Sequence, residues 1–310
     1  MRKNRVNPPL KWHGGKYYLG PRIVELMPPH QQYVEPFFGG GSVLLSKDPH
    51  NVGEVVNDLN GHLTNFWRVM QDETLFAQFY RIMQAMPFSE TEWRDAHERL
   101  AGTQDPVQQA AAFYVQCRQS FSGRRVCFAA MTKNRLRQGM NEQAAAWMSA
   151  VDGMPEVHAR LRRVAILNRD ALKVIKQFDT SHTLFYLDPP YLHTTRITTE
   201  EYGEQEMSAE QHTQLLDLLL TVKGKVMLSG YPSPLYEEKL ASWPRVDFDL
   251  PNNSAGGDSK ERKTERLWCN FQPNIPTSKP RLSVQAKDKE EEELETVTQL
   301  QPEPTPAGLF

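Results

Sequence analysis

Thr183-Leu-Phe-Tyr-Leu-Asp188-Pro189-Pro190-Tyr191 is the stretch from which the fold can be read. Its first five residues are rich in leucine and aromatics, which predicts a short buried strand. The two prolines cannot donate to a sheet ladder, and the first pushes Asp188 away from helix. The strand therefore stops at Asp188 and leaves a rigid, extended segment at its carboxyl edge, where open α/β sheets bind ligands. A carboxylate, a carbonyl kept out of helix and an aromatic ring are presented there together. That set suits a flat nitrogenous ring bearing an amino group. Asp188 and the carbonyl of Asp188 or Pro189 accept the two amino hydrogens, while Tyr191 stacks on the ring face. The plainer reading of the same residues is an aspartate that caps a loop and a tyrosine that packs.

Two segments upstream favour the first reading. Gln32-Tyr-Val-Glu35-Pro36-Phe37-Phe38-Gly39-Gly40-Gly41-Ser42-Val43-Leu44-Leu45 reads as strand, glycine turn, then helix. Glycines let backbone approach where a side chain would collide. The third glycine of the dinucleotide fingerprint is replaced by Leu44, and the lysine of a phosphate-binding loop is missing, as Gly41-Ser42-Val43 stands there. The turn fits a nucleoside-like ligand better than a pyrophosphate. Gly53-Glu-Val-Val-Asn57-Asp58 is a second strand ending in an acid. It falls about 20 residues past the glycines, where an acid accepts bonds from ribose hydroxyls in such folds. Asp58 also suits a cap for the helix expected from Leu59; the glycine turn tips it towards the ribose.

These segments together resemble the Dam-like family of DNA adenine methyltransferases, which use S-adenosylmethionine. The matches are Leu10-Lys-Trp12-His13-Gly-Gly-Lys16, Val34-Glu35-Pro36-Phe37 with its glycines, Asn57-Asp58, Asp188-Pro-Pro-Tyr191 and Lys263-Thr-Glu-Arg-Leu-Trp268. They occur in the family's order over about residues 8–272. The resemblance implies a Rossmann-like methyltransferase sheet, with a helical target-recognition subdomain inserted before Asp188. It implies that Trp12 and Lys16 touch the methyl donor, that Asp58 holds its ribose, and that Glu35, Pro36, Phe37, Gly39 and Gly41 line its site. Asp170, in Asn168-Arg-Asp-Ala171, would bind the donor's adenine. Asp188 would sit between donor and target base, with Pro189, Pro190 and Tyr191 completing the catalytic segment. His13, between Trp12 and two glycines, reads as a packing or hydrogen-bonding residue, and no metal is required.

The net charge of −2 suits a DNA-binding protein poorly until it is divided. From Pro273 onward four Lys/Arg face seven Asp/Glu, so the remainder carries +1. Between Asp105 and Glu142 there is no acid, yet Arg118, Arg124, Arg125, Lys133, Arg135 and Arg137 fall there, interleaved with Phe121, Phe128 and Asn134. A merely solvated face is the common meaning of a basic run. Over this length without acids, phosphate neutralisation with arginines available for base edges is the better reading. Lys260, Arg262, Lys263 and Arg266 form a second basic group, diluted by Asp258, Glu261 and Glu265.

The organisation expected is an α/β core, residues 1–58 and 165–272, interrupted by a helical insertion over 59–164. Helical spacing runs through 59–86, Glu90–Leu100, Val107–Gln119 and Asn141–Val164. Strands resume at Ala165–Leu167, Thr183–Leu187 and Lys225–Ser229, with a helix over Ala209–Val222. Trp243–Leu250 and Glu265–Phe271 form a closing antiparallel pair. Residues 273–310, acidic and proline-rich with few large apolar residues, predict a disordered tail. No apolar run reaches membrane-spanning length, the N-terminus lacks the apolar stretch of a signal peptide, and Cys117, Cys127 and Cys269 lack metal-ligand spacing. With the resemblance, which implies double-stranded DNA as substrate and a bacterial or phage-infected cell, these features predict a monomeric cytoplasmic enzyme. The alternatives are an RNA or guanine amino-methyltransferase, a non-catalytic DNA-binding relative and, least favoured, a nicotinamide oxidoreductase.

Overall fold

Thr183–Leu187 is buried at every residue, as its composition requires, and it runs through the middle of a seven-stranded sheet. The computed structural model describes residues 5–129, 135–192, 207–251 and 262–275. Lys133, Asn134, Lys260 and the tail beyond 275 lie outside the described residues. In chain order the strands are β1 (Gln32–Glu35), β2 (Gly53–Asn57), β3 (Leu136–Arg137), β4 (Met140–Asn141), β5 (Val164–Leu167), β6 (Thr183–Leu187), β7 (Lys225–Gly230), β8 (Arg245–Pro251) and β9 (Arg262–Cys269). The large sheet has the order β5-β2-β1-β6-β7-β9-β8, and β3 with β4 makes a separate hairpin. The first five strands of that order pair in parallel; β9 is antiparallel to both β7 and β8.

The helices are α1 (Gly20–Glu25), α2 (Gly61–Gln71), α3 (Glu73–Ala85), α4 (Glu90–Gly102), α5 (Pro106–Arg118), α6 (Glu142–Asp152), α7 (Met154–Leu161), α8 (Ala171–Phe178), α9 (Ala209–Leu219) and α10 (Pro234–Lys239). Strand side chains alternate between two apolar layers. Tyr33, Leu184, Tyr186 and Met227 face a cluster built with α2, α3, α5 and α7; Val34, Phe185, Leu187 and Leu228 face one built with α8, α9 and α10. Burial on both faces is why these strands read as continuous apolar runs. The helices of the 59–164 insertion thus pack over one face of the sheet, beside α1, and share its core. The Arg160 guanidinium of α7 makes a buried bidentate pair with Glu54 of β2, at 2.7 Å to each oxygen.

Two expected helices differ. After the glycine turn only a 3-10 turn forms, Leu44–Ser46, because Pro49 follows closely and disfavours helical backbone at Asp48. The run from Asn141 breaks into α6 and α7 at Gly153, with Pro155 in the first turn of α7, and it ends before Val164, which belongs to β5.

Candidate active site at the carboxyl edge of the sheet

Strand order reverses between β1 and β6: the chain steps outward from β1 to β2 and β5, then returns to the far side of β1. The carboxyl ends of the strands either side of such a switch point part to form a crevice. Glu35-Pro36-Phe37 leaves β1 there and Asp188 leaves β6. Asn57, the last residue of β2, ties the neighbouring ends together. Its Nδ2 donates to the carbonyls of Pro36 and Arg169, both at 3.0 Å, and its Oδ1 accepts from the Arg169 amide at 2.9 Å.

A cleft at this edge is lined by Trp12, Lys16, Glu35, Phe37, Gly39, Gly41, Asp58, Asp188 and Pro190 among the residues expected from the sequence. His13, Gly40, Leu59, Tyr186 and Met207 line it as well. The glycines serve Trp12 first. A Cβ on Gly40 would lie 2.7 Å from Cβ of Trp12, so the turn is glycine where the indole lies against it. Trp67 of α2 donates from Nε1 to the Gly39 carbonyl at 3.0 Å, fixing the turn from the helical layer. Pro36, Pro189, Tyr191 and Asp170 do not line this cleft. Asp170 is the N-cap of α8, accepting from the Lys173 amide at 3.0 Å.

Asp58 is held by two amides: Oδ2 accepts from Gly39 at 2.9 Å and Oδ1 from Asn60 at 3.0 Å. The cap of α2 is Asn60 itself, whose Oδ1 accepts from Leu63 at 3.1 Å. Burial raises the Asp58 carboxyl above its ordinary range, and the amide bonds oppose that rise. Glu35 is raised well above the carboxylate range by burial, opposed by the bond its Oε2 accepts from the Tyr33 hydroxyl at 2.8 Å.

Lys16 reaches Asp188 from the other end of the chain. Its Nζ donates to both carboxylate oxygens, at 2.8 and 2.7 Å, and to the Gly14 carbonyl at 3.0 Å. Tyr191 is packed beside this pair. Its hydroxyl lies 2.7 Å from Lys16 Nζ and donates to Glu265, and its ring is buried edge-on against Tyr231 with centroids 4.6 Å apart. Tyr191 is 7% exposed and is not among the residues that line the cleft. Glu265 completes the cluster 3.3 Å from Lys16. Burial raises its carboxyl, and the Lys16 charge is the largest opposing influence. The sequence offered signals for Asn57 and Glu265, in the Asn57-Asp58 pair and the Lys263–Trp268 match, without a role for either.

The basic insertion borders this site. Arg118, Arg137 and Ser122 share a groove with Lys11, Trp12, Tyr17 and Tyr18. Gly123, at φ +71°, lets its turn press on the N-terminal segment; a Cβ there would sit 2.3 Å from the Lys11 carbonyl. Burial, and then the neighbouring charge of Arg118, lowers the Lys11 ammonium to about 8. Arg135 and Arg137 are exposed at the β3–β4 hairpin, whereas Arg124 and Arg125 are half-buried. Arg125 lays its guanidinium 5.4 Å over the Phe113 ring. Of the second basic group, Arg262 and Lys263 lie on β9. Arg266 is committed elsewhere: it pairs with both oxygens of Asp247 at 2.6 and 2.7 Å and with Glu237 at 2.5 Å.

The fold and this edge define an α/β enzyme with an acid-bearing strand end beside a glycine-walled cleft. Residues 12–251 match the D12 class N6 adenine-specific DNA methyltransferases, and the chain belongs to that family. It is similar to the DNA adenine methylase of Escherichia coli (strain K12), 30% identical over 292 residues that cover 89% of this chain and 98% of that one. The Type II methyltransferase M1.LlaDCHI of Lactococcus lactis subsp. cremoris is 26% identical over 286 residues, covering 87% and 98%. The Type II methyltransferase M.CviBI of Paramecium bursaria Chlorella virus NC1A is 23% identical over 250 residues, covering 76% and 91%. The protein is therefore an adenine-specific DNA methyltransferase, and the RNA, guanine, oxidoreductase and non-catalytic readings fall away. Among the described residues no helix is long and apolar enough to cross a membrane.

Proposed function

We propose that the protein transfers the methyl group of S-adenosylmethionine to the exocyclic nitrogen of an adenine turned out of a DNA duplex. The observation that carries this reading is the convergence of Lys16, Asp58 and Asp188, distant in sequence, on one cleft at the switch point. The cleft suits that donor, with an indole wall at Trp12, a glycine turn and the half-buried acid Asp58 for ribose hydroxyls. When bound, S-adenosylmethionine supplies an electrophilic methyl on sulfonium sulfur.

The chain's own contribution lies at Asp188. Adenine's amino lone pair is delocalised into the ring, and accepting the amino hydrogens at Asp188 and the Pro189 carbonyl localises it for attack. The carboxylate also balances the positive charge that develops on nitrogen. Alignment of the reacting atoms supplies much of the rest. A paired adenine cannot reach this recess, so it must leave the stack. The groove of Lys11, Arg118 and Arg137 supports DNA backbone contact beside the cleft, extended by Arg135, with Arg124 and Arg125 at the turn. Residues 12 and 265 of one chain meet at the same site, which supports action as a monomer, in the cytoplasm where bacterial or phage DNA is met.

The test uses purified protein, S-adenosylmethionine and a duplex carrying 2-aminopurine at the methylated position. Donor binding by calorimetry, a rise in 2-aminopurine fluorescence on complex formation and N6-methyladenine in the digested natural duplex are expected. A protein that binds no S-adenosylmethionine, or leaves the fluorescence unchanged while methylating, overturns the corresponding part.

A further inference from the structure

Glu265 has no part in the chemistry set out above, yet it stands at its centre. The residue is 5% exposed on β9, and a buried acid needs partners. Its Oε1 accepts from the Tyr191 hydroxyl and lies 3.3 Å from the Lys16 ammonium. That ammonium also spans both oxygens of Asp188, at 2.8 and 2.7 Å. One cation is thus shared by two acids, and it sits closer to the acid that must serve the target.

The arrangement obstructs the reaction as it stands. An arriving amino group brings an N–H donor to a carboxylate both of whose oxygens already accept from Lys16, with the Tyr191 hydroxyl oxygen 3.1 Å away. It also meets a positive charge next to the nitrogen on which positive charge develops, which is the opposite of what the transition state needs. Lys16 has to yield Asp188 for the carboxylate to act. Among the described residues the other acid beside Lys16 is Glu265, 3.3 Å away, about half an ångström beyond the usual length of a charge-assisted bond. Glu265 is well placed to receive it, because its strand pairs with β7 on one side and β8 on the other.

We infer that Glu265 is a positioning residue for methyl transfer: it takes the Lys16 ammonium when the target amino group takes the carboxylate of Asp188. The inference rests on the reading of Asp188 proposed above. Glu265 touches neither base nor donor; it acts through Lys16. Its charge is the property that matters, since a neutral acceptor of the same shape leaves Lys16 with the stronger attraction of Asp188. The competing explanation is that Glu265 only anchors Tyr191.

Single-turnover transfer at saturating S-adenosylmethionine and duplex DNA separates these possibilities, with rates taken per folded protein from thermal melting and DNA affinity measured alongside. Glu265→Gln is expected to lower the transfer rate by on the order of 100-fold, the scale of a misplaced reacting group, with DNA affinity unchanged. Glu265→Asp, which keeps the charge, is expected to stay within about tenfold of the parent. The loss from Glu265→Gln should persist in a Tyr191→Phe background. Equal rates for the Gln and Asp variants, or a loss that vanishes in that background, overturn the assignment of Glu265. Asp188→Asn is run in parallel. Should it keep its rate, the reading of Asp188 fails; should it fall while Glu265→Gln does not, only Glu265 is wrongly assigned.

Discussion

The amide of Gly39 donates to Oδ2 of Asp58 across 2.9 Å, joining the glycine turn after β1 to the acid after β2. The acid at this position therefore shapes the turn as well as facing the cleft. Replacing Asp58 by Ala should weaken S-adenosylmethionine binding more than DNA binding, and should lower stability by about 1–2 kcal/mol through two unpaired amides. Calorimetry for each ligand checks the first claim and denaturant unfolding the second. Unchanged donor affinity would leave Asp58 with a purely structural task.

Asp188→Asn keeps an acceptor and removes the charge. Methyl transfer should fall by about 100- to 1000-fold, the worth of one preorganised electrostatic contact, while the melting temperature changes little. Near-normal turnover would remove the anionic role.

Gly40→Ala tests the wall of the donor cleft. The new methyl would lie 2.7 Å from Trp12 Cβ, so the indole must move. Donor affinity should drop at least about tenfold, since misplaced positioning groups cost up to about 100-fold. Tryptophan fluorescence titration with S-adenosylmethionine reads both the shift and the affinity.

Lys11 should make DNA binding sensitive to pH near 8. As pH rises through that value the ammonium is lost in the folded protein, so affinity for DNA falls. Stability moves the other way. Below pH 8 the lysine is charged in both states and its burial opposes folding; above it, the unfolded chain binds more protons and that opposition is relieved. The advantage in unfolding free energy of Lys11→Met over the parent should therefore narrow from pH 8 upward. A gap independent of pH between 7 and 10 would show that Lys11 titrates normally.

The arginines of the insertion divide by exposure. Arg135→Ala and Arg137→Ala, at exposed positions, should weaken binding to all sequences. Each should reduce the slope of log K against log salt by about one unit per phosphate contact. Arg124→Ala, at the turn, should instead relax site preference by about 1–3 kcal/mol. Deleting residues 276–310 should leave methylation intact. Binding isotherms at several salt concentrations on target and scrambled duplexes distinguish these outcomes; identical slopes throughout would move the DNA surface elsewhere.

Local sequence determined the strands and their ends. Leucine–aromatic runs bounded by proline or by Asn57-Asp58 can bury only as short strands, and this placed Glu35, Asp58 and Asp188 at one edge before any contact was known. The helical spacing of 61–161 was equally legible, since apolar periodicity is a property of neighbouring residues. Tertiary structure decided which charged groups meet. Asp188 and Glu265 come together because β6, β7 and β9 lie side by side, Lys16 reaches them from the N-terminal segment, and strand order is set by crossovers between distant segments. It also decided that Asn60 caps α2, that Trp12 fills the glycine turn and that Arg266 is taken up by Asp247 and Glu237. Short-range pattern reports burial and ends of elements; the sharing of one ammonium between two acids depends on long-range packing, which no local window contains.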